Sequence, residues 1–70
     1  MSDEDLETFR HRCEVRWLLR KFGAEGKEAV NRYVGLVREK RGDWMADRLL
    51  SDCREQWRLG NRGFDGEWRA

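Results

Sequence analysis

The sequence predicts an all-α protein, either a three-helix bundle or a helical hairpin completed by homodimerisation. Three amphipathic segments are separated by glycine-containing connections, and the 70 residues contain no proline, which favours unbroken helices. Short connections imply antiparallel neighbours, so the first and third helices should run parallel. Each of these two segments carries a Cys-x-x-x-Trp pair, Cys13 with Trp17 and Cys53 with Trp57. Residues four apart share a helical face, so we expect both pairs to meet in the core.

The first helix is predicted over residues 3–22, with Ser2 as N-cap and Gly23 just beyond its last residue. Acidic residues fill its first turns, where the helix dipole favours negative charge. The predicted core stripe consists of Leu6, Phe9, Cys13 and Trp17, and it is widened later in the helix by Val15, Leu18, Leu19 and Phe22.

The second helix is predicted from Lys27 to Arg41. Its apolar residues follow the i, i+3, i+4, i+7 spacing of a buried helical stripe, namely Val30, Tyr33, Val34 and Val37. Gly35 lowers helix stability by about 1 kcal/mol relative to alanine, so we interpret it as the mark of a close helix crossing.

The third helix is predicted from Trp44 to about Leu59, after Gly42 has ended the second helix and with Asp43 as N-cap. Its predicted apolar face consists of Ala46, Leu49, Leu50, Cys53 and Trp57, with Met45 at the edge. Residues 1–60 should therefore form a single helical domain, and residues 61–70 a C-terminal tail that is either docked or flexible. A domain of this size buries only about 60% of its unfolded surface, so its stability is expected to be marginal.

Charge and hydropathy exclude several classes of function. Fifteen basic and fourteen acidic residues give a net charge of +1, which provides no overall field for nucleic acid or an anionic membrane. No apolar stretch approaches the ~20 residues of a membrane span, so we expect a cytoplasmic protein without a membrane partner. Cysteines in that compartment are normally reduced. Two alternatives are therefore kept: a disulfide between Cys13 and Cys53, or two free thiols buried as small apolar groups.

The sequence indicates neither an enzyme nor a cofactor. His11 and Cys13 lie two residues apart and so diverge by about 200° around a helix, which prevents them from holding one zinc ion. The same geometry points the single histidine away from Cys13, and His11 could approach Cys53 only through the fold. We therefore expect no catalytic residues, no metal site and no cofactor.

Two surfaces are candidates for binding. Three aromatic residues lie outside the predicted core stripes, close in sequence to arginines, a composition typical of protein-binding hot spots. This candidate surface comprises Trp44, Phe64 and Trp68 with Arg41, Arg48 and Arg69. Alternatively, the tail aromatics cover the open side of the bundle.

The second candidate surface is the ladder of Arg12, Arg16 and Arg20 on one side of the first helix, which suits phosphate binding. The alternative is a solvated face paired with acidic side chains. A helix-turn-helix would need contacts to bases and phosphates at the start of the third helix, but residues 44–48 there are largely apolar and acidic. Sequence-specific duplex binding is therefore not expected.

Over residues 10–58 the sequence resembles a group of small uncharacterised bacteriophage and prophage proteins. The resemblance is carried by residues 12–19 and 33–37, by Arg41-Gly42, and by Ala46, Leu49 and Trp57. The resemblance implies a context in which small proteins without enzyme motifs bind and redirect one host protein, as anti-defence inhibitors such as anti-CRISPR proteins do. Our leading hypothesis is a non-enzymatic phage-type protein that inhibits or modulates a host factor in the host cytosol. A nucleic-acid-binding regulator and a purely structural helical dimer are the alternatives.

Overall fold

The computed structural model describes residues 3–64 and 66–68, with side chains described from residue 6 onward. Three α-helices follow one another: α1 at Asp3–Glu25, α2 at Lys27–Arg41 and α3 at Asp43–Arg58. Each helix packs against the other two, which confirms the predicted three-helix bundle. The predicted N-cap Ser2 lies outside the described residues.

Helix α2 has the predicted bounds and the predicted buried face. Val30, Val34 and Val37 are buried in the core, and Tyr33 packs against it. The helix lies between two single-residue connections, Gly26 and Gly42, whose φ angles of 90° and 94° favour glycine. The interpretation of Gly35 was wrong: this glycine is exposed, and a Cβ built on it would meet nothing within 4 Å.

Helix α1 is longer than predicted. It continues through Gly23 and Ala24 to Glu25, and the chain breaks the helix only at Gly26, where φ becomes positive. Gly23 remains helical beside the ring of Trp57, where an added Cβ would lie 3.8 Å from the indole. Gly23 was predicted to end the helix, but it is a helical residue that packs against Trp57 of α3.

The main stripe of the predicted core face of α1 was wrong, whereas three of the four residues predicted to widen it, Val15, Leu18 and Leu19, are buried as expected. Leu6, Phe9 and Trp17 are 38%, 58% and 40% exposed, and Cys13 is half-buried. The buried face consists of Val15, Leu18, Leu19 and His11. At 100° per residue these two sets lie on roughly opposite sides of the helix. Because α1 is apolar on both sides, only the packing of α2 and α3 decides which side enters the core.

Helix α3 buries most of the face that was predicted for it, but begins differently. Ala46, Leu49 and Cys53 are buried, whereas Trp57 is half-buried and packs against the core. The partly buried residues Met45 and Leu50 also pack there. The predicted N-cap Asp43 is the first helical residue, and Gly42 precedes it as the N-cap without a side-chain capping bond.

The two Cys-x-x-x-Trp pairs therefore do not meet in one core. Cys53 and Trp57 belong to it or pack on it, whereas Trp17 lies at the surface. Both Cys13 and Cys53 are free thiols in the structure.

The described part of the C-terminal tail packs on the bundle. After Gly60, Asn61 is fully buried, its amide donates to Oε1 of Gln56 at 2.9 Å, and its Oδ1 accepts the Gly63 N–H at 2.8 Å. Gly63 is buried as well, and Trp68 packs against the core.

Candidate functional site

The most exposed large apolar side chain in the described part of the chain is that of Trp44, which is 70% exposed at the start of α3. Residues two apart on a helix point in nearly opposite directions, so burial of Ala46 turns Trp44 outward. The guanidinium of Arg48 lies 5.5 Å from the centre of the indole ring. This contact holds a cation over the ring one turn along the helix.

Beside Trp44 lies a cleft of about 310 Å³, where the N-terminal half of α1 faces the connection between α2 and α3. Its lining combines one aromatic ring and one thioether with three arginines, two glutamates and a histidine. The lining residues are Glu7, Arg10, His11, Glu14, Arg41, Trp44, Met45 and Arg48.

The floor of this cleft is fixed by Glu14. Its carboxylate accepts two hydrogen bonds from Arg41, at 2.6 and 3.2 Å, and a third from the hydroxyl of Tyr33. Burial alone would raise the pKa of Glu14, but the hydrogen bonds from Arg41 and Tyr33 and the nearby positive charge together lower it below its ordinary value. Burial and the same carboxylate raise the pKa of Tyr33.

A second polar contact joins α1 to α3 at the same cleft. His11 is only 7% exposed, and its Nε2 lies 2.5 Å from Oδ2 of Asp52. Within the described residues, its Nδ1 is buried without a hydrogen-bond partner. Neither the contact of Asp52 with His11 nor that of Glu14 with Tyr33 was predicted from the sequence. One signal was available, since His11 precedes Val15 by four residues and so shares the buried face.

The cleft presents groups that suit recognition of another surface. The described residues contain no group of three or more His, Cys, Asp or Glu side chains placed to hold a metal ion. Cys53 is buried in the core, and burial raises the pKa of its thiol to about 12, so its sulfur is protonated at neutral pH. The exposed residues of the cleft are Glu7, Arg10, Arg41, Trp44 and Arg48, and Trp44 is the one large apolar side chain among them.

The structure describes five of the six residues predicted to form one partner surface, and these five do not lie together. Trp44, Arg41 and Arg48 line the cleft just described. Phe64 is 59% exposed and lies near the C-terminal end of α1, in a hollow with Arg20, Gly23, Ala24, Trp57 and Arg62. Trp68 is half-buried, with the Arg12 guanidinium 5.1 Å from the ring centre. Arg69 lies outside the described residues.

The arginine ladder runs beside the docked tail. Arg12 lies over the Trp68 ring, and Arg16 donates to the sulfur of Cys13 at 3.4 Å. The backbone at Gly63 is so close to α1 that a Cβ there would lie 2.6 Å from Cγ of Arg20. The structure therefore brings two predicted binding features, the ladder and the tail, into contact with each other.

Residues 2–59 match the family of unknown function DUF7696, which is most of the chain, so the protein belongs to that family. No curated protein and no solved structure matches the chain. In the part of the chain that the structure describes, no helix is long and apolar enough to cross a membrane.

Proposed function

We propose that this member of a family of unknown function is a non-enzymatic protein-binding module that inhibits or modulates a host factor. The observation that carries the proposal is Trp44, 70% exposed beside a structured cleft. Tryptophan and arginine are enriched among the few residues that supply most of the binding energy at protein interfaces. An indole held at the surface by Arg48 is suited to insert into a partner.

The support beneath Trp44 favours recognition with a defined geometry. Glu14 on α1 is bound by Arg41 and Tyr33 on α2, so the cleft floor is fixed by hydrogen bonds between helices. Binding residues placed on rigid elements lose less entropy when a partner docks. The anchor is thus presented by a scaffold that is already formed.

The charge around the anchor indicates the chemistry of the partner. Arg41 is paired with Glu14, whereas Arg10 and Arg48 line the cleft without a carboxylate partner among the described contacts. An apolar socket rimmed by carboxylates on the partner would accept the Trp44 ring and pair with these two arginines. We infer a host protein with such an acidic rim.

The phage-type context and a role in the host cytosol rest on the resemblance of residues 10–58 to small phage and prophage proteins. Inhibition is the mode that suits a small chain, because a bound domain of this size can block a functional surface of a larger protein. Anti-defence activity is the form of inhibition that the resemblance implies.

The alternative function, nucleic-acid binding through Arg12, Arg16 and Arg20, has weaker support. The net charge is only +1, and the ladder already contacts Trp68 and the backbone near Gly63. Phosphates would have to compete with the docked tail for these side chains. We expect binding to duplex DNA to be weak and not sequence-specific.

Capture from bacterial lysate tests both functions together. Tagged wild-type chain, Trp44→Ala and Phe64→Ala are compared with and without nuclease. Phe64 is the matched control because its ring is 59% exposed but lies away from the cleft. We expect a captured protein that survives nuclease, is lost with Trp44→Ala and is retained with Phe64→Ala. Capture that nuclease abolishes supports the alternative, and capture indifferent to Trp44 contradicts the proposed surface.

A further inference from the structure

Helix α1 carries a second apolar stripe outside the core. Leu6, Phe9, Cys13 and Trp17 follow one another at intervals of three, four and four residues, so they lie along one face. This face is turned roughly away from the buried residues Val15, Leu18 and Leu19. We call these four residues the outer stripe. It is about 17 Å long, at 1.5 Å per residue.

The C-terminal end of the outer stripe is already held in place. The Trp17 ring packs against Tyr33 of α2, with ring centres 4.9 Å apart, and the Lys21 ammonium lies 5.1 Å from the ring centre. Phe9 and Trp17 are nevertheless 58% and 40% exposed. The stripe therefore offers two aromatic rings on a rigid helix, at the spacing by which helices pair.

The charges of α1 indicate what would cover the outer stripe. Residues 3–9 contain four acidic and no basic residues, whereas residues 10–21 contain five basic residues and one acidic residue. In an antiparallel pair centred on Cys13, the acidic residues 3–9 would face residues 17–23, which include Arg20 and Lys21, and Arg12 would face Glu14. A parallel copy would place like charges together, which is unfavourable. The two ends of the helix are thus complementary in charge in the antiparallel pair, whereas Arg10 faces Arg16 of the other copy nearer the middle.

We propose that the outer stripe pairs with the same stripe of a second copy of this chain, antiparallel and about a two-fold axis near Cys13. In this register Phe9 faces Trp17 of the second copy, and the two Cys13 residues face each other. A two-fold interface uses the same patch twice, and the sequence of α1 allows that in both shape and charge. The pairing buries apolar surface that a small domain needs for stability.

Solution mass with matched variants is the first test. Light scattering coupled to size exclusion should give twice the 8.5 kDa chain mass for the wild type. Phe9→Ser should return the mass to one chain, whereas Leu36→Ser should not, although Leu36 on α2 is 54% exposed and so comparable to Phe9. Circular dichroism confirms that both variants fold. A wild-type monomer at 100 µM, or a dimer insensitive to Phe9→Ser, would overturn the proposal.

Oxidative cross-linking tests the orientation. Under copper-catalysed air oxidation, two thiols lose two protons and two electrons to dioxygen and form a disulfide. In a Cys53→Ala chain, Cys13 should link to Cys13 of the second copy. A chain with Leu6→Cys, Cys13→Ser and Cys53→Ala should not link to itself, because positions 6 in an antiparallel pair lie about 21 Å apart.

The remaining outcomes are equally decisive. Self-linking at position 6 as well as at Cys13 would indicate a parallel pair and contradict the proposal. A Ser51→Cys chain, also with Cys13→Ser and Cys53→Ala, has its thiol exposed on α3 and measures the collisional background. Linking at Cys13 no faster than this background also contradicts it. Trp44→Ala should leave mass and cross-linking unchanged, so the dimer and the proposed partner surface fail or survive separately.

Discussion

The two ends of α1 are tied to the rest of the bundle by different kinds of contact. Toward its N-terminal half, Glu14 binds Arg41 and Tyr33 while His11 contacts Asp52. Near its C-terminal end, contacts of aromatic rings predominate. There Phe22 packs edge-on against Trp57 with ring centres 4.7 Å apart, and the Arg62 guanidinium lies 3.8 Å from the centre of the Trp57 ring.

This difference separates two sources of stability. The charged end depends on the protonation state of a carboxylate and should respond to pH. The aromatic end depends on apolar burial and on the tail that follows α3, so it should respond to truncation or displacement of side chains. The candidate binding cleft lies at the charged end, where side chains are directionally fixed. Substitutions at each end, measured beside matched control variants, should separate the two sources.

Trp57→Ala should have the largest effect, since Trp57 packs against the core, Phe22 and Arg62. We expect a loss of about 3–5 kcal/mol in the free energy of unfolding, enough to unfold a marginal domain. Trp17→Ala is the control and should cost clearly less, because Trp17 is 40% exposed. Urea denaturation followed by circular dichroism measures both, and equal losses would contradict the assignment of Trp57 to the core edge.

Gly63→Ala should destabilise the aromatic end by about 2–3 kcal/mol. The position has φ of 97°, and an added Cβ would lie 2.3 Å from the carbonyl oxygen of Arg16, so the tail would have to move. Gly66→Ala is the matched control, with φ of 81° and nothing within 4 Å of the added Cβ. Gly66→Ala should lose only about 1 kcal/mol of unfolding free energy, from the strain of an alanine backbone at positive φ.

Melting temperatures should separate these two glycine variants, at roughly 4–8 °C per kcal/mol in a domain of this size. If Gly63→Ala and Gly66→Ala melt together, the tail does not depend on its close approach to α1. The tail would then have to be regarded as separate from the bundle.

How much of this was predictable from sequence differs between the helices. Helix α2 has a single apolar stripe between two glycines, so its bounds and buried face followed directly from the pattern. Helix α1 has two apolar stripes, and the sequence favoured the one that contains the Cys-x-x-x-Trp pair. That choice was wrong because burial depends on which stripe meets α2 and α3, a property of tertiary packing rather than of local spacing.

The candidate site could be predicted only in part from the sequence, for a related reason. Exposure of Trp44 followed from its place outside the α3 stripe, and the structure confirms that exposure. The network around Glu14 joins residues 19 and 27 positions apart, and the His11–Asp52 contact joins residues 41 apart. A local sequence pattern does not indicate which residues so far apart in the chain meet, so these contacts are known only from the fold.

Glu14→Gln should weaken the charged end by about 1–2 kcal/mol at pH 7, because it removes the charge that Arg41 and Tyr33 contact. The pKa of Glu14 is lower in the folded chain than its ordinary 4.5, so the carboxylate stabilises the fold fully above that pH. The contribution is lost as pH falls through the folded value. Urea denaturation should therefore show the variant and wild type converging toward pH 3. A gap that persists undiminished at pH 3 would show that the effect is not due to ionisation.

Arg38→Gln should have the smallest effect, although Arg38 makes as many ion pairs as any residue in the described part of the chain. Its two nitrogens each lie 2.9 Å from a carboxylate, of Asp43 and of Asp47. Those carboxylates are 80% and 67% exposed, whereas the Glu14 side chain is 17% exposed, so water and salt screen the Arg38 pairs far more.

If the number of ion pairs governed stability, Arg38→Gln would match Glu14→Gln. If burial governs it, Arg38→Gln should leave the unfolding midpoint nearly unchanged at 0.15 M salt and show a small loss only at low ionic strength. Urea denaturation at both salt concentrations decides between the two. A loss of unfolding free energy equal to that of Glu14→Gln would mean that stability depends on the sum of the surface charges rather than on one buried carboxylate.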